Sequence, residues 1–445
     1  MPRVRTLHAI ALGLSAALVG LDGGTFGPAL PALRAGLSLD DPRAAWLLSA
    51  YVVGTLVGTP SNAWIAARFG ASRALSLALG VYALGAFVFA SSHGALFACA
   101  ARWTQGLGAG SLLSIATAAL ALRVDPSRRG RAIVLLSLAY GMAFVIASGS
   151  ASALASSWRA LYAGLGLFAL AVSIVFATLR GEDTPSTVPF DLRGFVLWTG
   201  AVASLAVVIP QLRGGATDAT MSLVALSCAL ALFALAIVNA RRVEHSFVPL
   251  GLLRAERLRA ASALSIASGS AQVFAVSLPS FAVVVVGVDA ARVSLWSLPF
   301  VFAGLAGTVV SAMVIDRVGA RLMVAVTGVA VLAGAVALST VPPSRGAFIA
   351  ISALVGAGLS TLSGGPIRHL AGVVEGPDGP RAQALLSLVT NLGLLASSAL
   401  YGSLASPRGD IALRALGMRH GSAAVASLFA LALLSGLRLA RRQAA

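Results

Sequence analysis

The chain has 445 residues, of which 58% are hydrophobic and only 11% charged, and its mean hydropathy is +0.91. Soluble domains carry about 25% charged residues, so this composition excludes a soluble enzyme and indicates a chain whose main solvent is lipid. The net charge of +17 comes from Arg alone, placed at the ends of apolar runs and not in a basic stripe between aromatic residues, which excludes nucleic acid as a partner.

Fourteen apolar runs are each long enough to cross a hydrocarbon core of about 30 Å, and we predict that they are membrane-spanning helices. The first run, which begins near Leu7, is too long for a secretory signal and is predicted to be retained. The predicted spans are 7–33, 44–66, 74–92, 95–121, 132–155, 160–179, 194–212, 220–240, 258–286, 293–315, 322–341, 346–367, 382–404 and 420–437.

The order of these runs predicts an all-α integral membrane protein in three parts. Residues 1–180 form an N-terminal six-helix bundle, 181–257 an inserted helix pair with a cytoplasmic linker, and 258–445 a C-terminal six-helix bundle. With the N-terminus inside, 22 Arg fall in cytoplasmic segments, nine in outer segments and Arg102 within a helix. Cationic loops stay in the cytoplasm, so we predict a multi-pass protein of the cell (inner) membrane with both termini cytoplasmic.

Two short segments repeat the same pattern in the two halves of the chain. AWIAARFGASR follows the second predicted span and AMVIDRVGAR follows the tenth, and aligning them pairs Gly70 with Gly319, 249 positions later. The second copy resembles the signature loop of the major facilitator superfamily, which implies two similar halves whose loops lock helices together until the halves rock. In the first copy Ala67 replaces the Asp of that loop, and a plain glycine turn with a surface ion pair is the alternative interpretation. The residues assigned to the two gating loops are Arg68, Gly70, Arg73, Asp316, Arg317, Gly319 and Arg321.

Further stretches resemble the fourteen-helix drug:proton antiporter family within that superfamily. They are LDGGTFGPALPAL in the first span, WLLSAY in the second and RRVEHSFVPLGLLRAERL in the linker. A fourth stretch, LPSFAVVVVGVDAARVSLWSLP, runs from the last part of the ninth span through the outer loop that follows it. Exporters of this family usually carry a Gly-Pro and a Gly pair near the end of the fifth span. This chain has Val145, Ile146, Gly149 and Ser150 there, so the direction of transport stays open.

One acidic residue, Asp22, lies well inside a predicted span. Arg102, within ARWTQGLGAG of the fourth span, resembles the intramembrane Arg of the family, and Gln105 shares its helix face. Both charges lie roughly 10 to 16 Å below the outer ends of their spans, and an Arg in hydrocarbon needs a partner, so we predict that they pair. A nearby Arg favours the ionised carboxylate and an apolar setting favours the acid, which makes Asp22 the candidate proton carrier. A permanent structural ion pair is the alternative.

The family's arrangement implies that the first, fourth, ninth and twelfth spans face a central cavity. Its expected lining residues, besides Asp22 and Arg102, are Thr25, Phe26, Gln105, Ser268, Gln272, Ser360, Thr361 and Ser363. A helix-packing role is the alternative for each neutral one. The five His form no metal-spaced cluster, and a chain without Lys has no Walker nucleotide loop, so no metal, cofactor or catalytic residue is expected.

The resemblance implies proton-coupled efflux of a small hydrophobic compound, either a drug or a secreted metabolite, by alternating access. Two alternatives remain open: uptake or exchange of an anionic metabolite held by Arg102, and a membrane sensor or scaffold that transports nothing. The expected partners are a small-molecule substrate, protons and the lipid bilayer, and the protein is expected to be a monomer.

Overall fold

The computed structural model describes residues 2–39, 41–125, 129–151, 157–179, 187–212, 219–289, 293–341, 344–363, 365–372, 374, 378–404 and 411–441. Within these ranges the chain is almost entirely helical and contains no β-strand, which confirms the predicted all-α fold. The helices are α1 (Pro2–Gly36), α2 (Asp41–Phe69), α3 (Ala71–Ala90), α4 (Ala95–Ala109), α5 (Leu112–Arg123), α6 (Arg129–Ala151), α7 (Trp158–Thr178), α8 (Leu192–Leu212), α9 (Ala219–Arg242), α10 (Glu256–Val284), α11 (Val293–Val318), α12 (Ala320–Thr340), α13 (Arg345–Ser363), α14 (Gly365–Leu370), α15 (Asp378–Leu404) and α16 (Ile411–Arg441).

Each predicted span corresponds to one helix or to one interrupted helix. Eleven spans within the described residues are long and apolar enough to cross a membrane. The others are α2, whose Thr59 and Asn62 hydrogen bond to the neighbouring helix, α8, whose apolar part is short, and the run of α4 and α5. That run is divided after Gly110, whose amide still donates to the Gly106 carbonyl, because Ser111 leaves the helical conformation with φ −125° and ψ 0°.

The two repeated segments fold into the same one-residue turn between two helices. Gly70 joins α2 to α3 with φ 92° and ψ 157°, and Gly319 joins α11 to α12 with φ 83° and ψ 147°. Both amides still close the preceding helix, because Gly70 donates to the Ala66 carbonyl and Gly319 to the Ile315 carbonyl. A positive φ is costly for residues with a Cβ, so the turn geometry explains why the repeat carries Gly at this position.

Gly319→Ala should lower the free energy of unfolding by about 1–2 kcal/mol, since a Cβ would meet no atom there and only the backbone conformation is strained. Gly346→Ala is the matched control: its Cβ also has open space, but Gly346 lies in the first turn of α13 with an ordinary helical backbone. Ala should be neutral or slightly stabilising at that position. Equal thermal unfolding shifts of the two variants in detergent would contradict the strain argument.

Two hydrophobic cores organise the described helices. One is built from α1 to α7 and includes the buried rings of Tyr82, Phe89 and Tyr162. The other is built from α10 to α16 and includes Phe274 and Phe429. We call these helix sets the N-terminal bundle and the C-terminal bundle.

The pair formed by α8 and α9 packs beside α2. A smaller hydrophobic cluster joins Trp198 and Val202 of α8 to Val53 and Leu56 of α2 and to Leu388 of α15. The indole Nε1 of Trp198 donates to the carbonyl of Leu56 at 2.9 Å. The inserted pair is therefore anchored where the two bundles meet.

The bundles are joined near one end, which we call the base: the end at which α1 begins and α16 ends. Ser114 Oγ of α5 lies 2.6 Å from Ser387 Oγ of α15, and Arg368 Nη1 of α14 lies 3.5 Å from Thr117 Oγ1 of α5. These contacts connect the second half of the fourth predicted span to the C-terminal bundle. They hold the bundles together on the base side.

Equivalent sides of α1 and α10 change from buried to exposed on the way from the base to the opposite end, the top. On α1, Ala16 is fully buried and Gly27, eleven residues higher, is exposed. On α10, Ser265 is 3% exposed and Val276, also eleven residues higher, is 60% exposed. Eleven residues are about three helical turns, so each pair lies on one side of its helix. Both helices thus have a side that is covered near the base and uncovered near the top.

Candidate functional site

A buried ion pair lies in the interior of the N-terminal bundle. Arg102 Nη1 of α4 donates to Asp22 Oδ1 of α1 at 2.9 Å, and each residue is 1% exposed. The same nitrogen donates to Gln105 Oε1 at 3.0 Å, one turn further along α4. The structure therefore brings together the three polar residues that the sequence placed within the first and fourth spans.

Close packing of α2 on α4 fixes the position of Arg102. Gly106 of α4 lies so close to the Tyr51 carbonyl of α2 that no Cβ would fit between them. Below this contact, Asn62 Nδ2 donates to the Leu107 carbonyl at 2.8 Å and Thr59 Oγ1 to the Gly110 carbonyl at 2.6 Å. The second bond satisfies a carbonyl at the break between α4 and α5. Gly106 and Gly110 thus allow α2 to pack closely on α4 beside the arginine, while Gly108 allows the same for α3.

Four aromatic rings surround the guanidinium. Arg102 Cζ lies 4.3 Å from the ring centre of Tyr51, 4.8 Å from Phe26, and 5.7 Å from both Phe89 and Tyr162. The rings come from α1, α2, α3 and α7, and attraction between a cation and a ring face is strong where water is excluded. Phe26, which is expected to line a cavity, lies against the guanidinium of the ion pair.

Several polar atoms beside the ion pair have no hydrogen-bond partner among the described residues. They are Asp22 Oδ2, Arg102 Nε, Gln105 Nε2, Tyr82 Oη and Tyr162 Oη, all buried. Buried polar groups are nearly always paired, so a cluster of unpaired ones needs a physical explanation, and a functional role is one. If Asp22 gains or loses a proton, the unpaired atoms of Gln105, Tyr82 and Tyr162 are available as new hydrogen-bond donors or acceptors.

The other expected cavity residues lie on α1, α10 and α13. Thr25 is buried and its Oγ1 donates to the Leu21 carbonyl of its own helix at 2.7 Å. On α10, Ser268 is buried and Gln272 is partly buried. The side chains of Ser360 and Thr361 on α13 lie against glycines of α11, which are Gly304 and Gly307. The side chain of Ser363 lies outside the described part of the structure.

The residues of the two gating loops flank the glycine turns. The Arg68 guanidinium lies 5.9 Å from the ring centre of Phe69, and Arg73 is exposed. On the second turn, Arg317 is exposed and Arg321 is partly buried. The Asp316 side chain lies outside the described part of the structure, so the carboxylate interlock stays a prediction.

Sequence reasoning missed a second group of polar contacts, at the base between the bundles. Arg381 is 6% exposed and donates to Asp378 Oδ1 at 2.7 Å and to the Ser246 carbonyl of the linker at 3.0 Å. Arg368 donates to Gln383 Oε1 at 3.1 Å and to Ser387 Oγ at 3.3 Å. Both arginines stand at span ends in the sequence, where they look like ordinary loop charges. In the described residues no three His, Cys, Asp or Glu are grouped to hold a metal ion.

Comparison with known sequences gives a consistent family match. The sequence model of the family described as Major Facilitator Superfamily matches residues 12–299. The chain is 23% identical over 401 residues to the uncharacterized MFS-type transporter YfiU of Bacillus subtilis, covering 86% of this chain and 76% of that protein. It is 27% identical over 253 residues to the puromycin resistance protein pur8 of Streptomyces alboniger, covering 56% of this chain and 50% of that protein.

Comparison with solved structures identifies the same architecture. The proton:xylose symporter XylE bound to 6-bromo-6-deoxy-D-glucose superimposes with a TM-score of 0.65 at 15% identity, and the match covers 97% of this chain and 95% of XylE. At this level of identity the likeness concerns the fold, which the two chains share over almost their whole length.

Proposed function

This chain belongs to the Major Facilitator Superfamily of membrane transporters, and on that basis we propose that it exports a small, largely apolar compound in exchange for protons. The observation that carries the proposal is the Asp22–Arg102 pair, a carboxylate and a guanidinium each 1% exposed inside the N-terminal bundle. Buried ionisable residues within membrane spans are costly and typical of proton and substrate pathways. The helices that carry the pair, α1 and α4, both pack into the hydrophobic core of the N-terminal bundle.

Protonation of Asp22 would change the contacts that hold α1 to α4. As a carboxylate, Asp22 accepts the charge-assisted bond from Arg102, and as an acid it would lose most of that attraction. Tyr82, Tyr162 and Gln105 have unpaired polar atoms nearby that can accept or donate new bonds. Proton uptake and release would thereby bias the arrangement of α1, on which Gly27 forms part of the uncovered side.

The arrangement of the bundles supports transport by alternating access. Equivalent sides of α1 and α10 are covered near the base and uncovered near the top, and polar contacts join the bundles at the base. Rocking of one bundle against the other would break the base contacts and cover the upper surfaces. Alternating access between two similar halves requires that equivalent helices of the halves, here α1 and α10, be covered and uncovered at the same ends.

Relatives that are named a puromycin resistance protein and a multidrug resistance protein support export, whereas another relative is named an arabinose-proton symporter. The alternative of an anion held by Arg102 has less support, because its Nη1 already donates to Asp22 and Gln105.

Purified protein in vesicles with an imposed pH gradient should exchange protons for a compound from a panel of small apolar molecules, and a protonophore should stop the exchange. The measurement follows internal pH and compound concentration together. Flux that ignores the pH gradient would contradict proton antiport. Binding of compounds without any flux would instead identify a sensor or scaffold.

A further inference from the structure

Arg368 differs from the two buried arginines in the described part of the chain. Arg102 and Arg381 each donate to a carboxylate, that of Asp22 and that of Asp378. Arg368 is partly buried and forms no ion pair with any carboxylate among the described residues. A cation enclosed by protein without an anion is costly, so its surroundings indicate a function.

Among the described residues, the partners of Arg368 are all neutral and belong to both bundles. Nη1 lies 3.1 Å from Gln383 Oε1 and 3.5 Å from Thr117 Oγ1, and Nη2 lies 3.3 Å from Ser387 Oγ. Ser387 Oγ is also 2.6 Å from Ser114 Oγ. Thr117 and Ser114 belong to α5 of the N-terminal bundle, while the other residues belong to the C-terminal bundle. The guanidinium therefore stands at the contact between the two bundles.

This contact lies some distance above the base ends of the helices that form it, and its residues are buried or partly buried. Thr117 is six residues before the end of α5 at Arg123, and Ser387 is nine residues after the start of α15 at Asp378. At about 1.5 Å per residue the cluster lies roughly 9 to 14 Å above the base ends of these helices. Neutral acceptors at this depth compensate a cation less well than an anion would, since hydrogen bonds between ionised partners are about twice as strong.

We propose that Arg368, with Ser114, Thr117, Gln383 and Ser387, binds the anionic group of the transported compound, so that the substrate class is small apolar organic anions. The inference rests on the proposed transport function and refines its substrate. A carboxylate would replace the neutral acceptors with charge-assisted, bidentate bonds, and the three hydroxyls can turn to donate to it. Because Thr117 belongs to the other bundle, an anion that takes over the guanidinium also removes one contact that closes the base.

A matched pair of probes tests the site by direct binding. 9-Anthracenecarboxylate and 9-anthracenemethanol have similar shapes, and only the first carries a charge. Titrated into the full chain in phosphatidylcholine nanodiscs, where no lipid anion competes, the carboxylate should bind roughly ten- to a hundredfold more tightly than the alcohol. In Arg368→Gln this preference should fall to about onefold, with the affinity for the alcohol unchanged.

Two further variants separate the charge from the fold. Arg368→Lys keeps the cation and should keep most of the preference for the carboxylate, whereas Arg438→Gln removes an exposed cation at the end of α16 and should leave the preference intact. The assignment is overturned if wild-type protein does not prefer the carboxylate or if Arg368→Gln retains the preference. Equal weakening of both probes in Arg368→Gln would show a contact that only holds the bundles together, and would also overturn it.

The same protein distinguishes this inference from the proton mechanism. Asp22→Asn should still prefer the carboxylate, because Asp22 lies in a separate buried cluster. Proton exchange in vesicles without a carboxylate preference would overturn the anion site alone. A carboxylate preference that depends on Arg368, in a protein without proton exchange, would overturn the proposed antiport alone.

Discussion

Proton-driven transport should fall to the background of protein-free vesicles when Asp22 is replaced by Asn. The amide has nearly the shape of the carboxylate and can accept a hydrogen bond from Arg102, but it takes up no proton. Arg102 keeps its bond to Gln105 and the four surrounding rings, so the variant should still fold and insert. The measurement is compound flux against an imposed pH gradient, with the amount of folded protein checked by size-exclusion chromatography.

Two variants control this result. Asp22→Glu keeps a titratable group on a longer side chain and should retain part of the proton coupling. Glu244→Gln removes an exposed carboxylate of the linker and should leave coupling unchanged. If Asp22→Asn still drives compound movement with the pH gradient at the wild-type rate, the carrier is another group and the ion pair is structural.

The membrane fold and the ion pair were predictable because hydrocarbon makes strong demands on sequence. A span needs about 20 apolar residues, and a charge within one is rare enough that two of them in a single bundle predict a contact. Asp22 and Arg102 stand 80 positions apart, yet their similar depth was sufficient to pair them. The glycine of each repeated loop was likewise readable, since only a positive φ explains its place in a tight turn.

The rings around the Arg102 guanidinium and the contacts of Arg368 at the base were not predictable, because their residues carry no unusual signal in the sequence. Phe89 and Tyr162 stand in apolar runs where aromatic residues are ordinary, and only the packing of α3 and α7 brings them to the guanidinium. Arg368 was counted as a cytoplasmic loop charge because it follows the twelfth run. Arg368 belongs to a separate short helix, α14, and reaches side chains 15 to 251 positions away.

Small residues were the most ambiguous signal. Ser360 and Thr361 were expected in a cavity on the strength of the family's helix arrangement, and the structure places them against Gly304 and Gly307 of α11. Small and polar residues serve both helix packing and ligand binding within membranes. Spacing along one helix does not distinguish these roles, since the neighbouring helix decides which side is covered.

Replacing Arg102 by Met should lower the free energy of unfolding by about 3–5 kcal/mol, because it leaves the other partner of a buried ion pair without a compensating charge. Asp22 Oδ1 would lose its hydrogen bond to Arg102, and Oδ2 already has no partner among the described residues. The double variant Asp22→Leu with Arg102→Met should recover most of the loss, because apolar residues of similar volume often replace such a pair without penalty. Denaturant unfolding in detergent measures all three proteins, with Arg438→Met as an exposed control.

The double variant identifies the cause of the loss in Arg102→Met. Recovery of stability in that variant would show that the loss comes from the Asp22 carboxylate, left buried without its cation. A double variant as unstable as Arg102→Met would instead mean that Arg102 stabilises the bundle through the four rings around its guanidinium, and the prediction would be wrong.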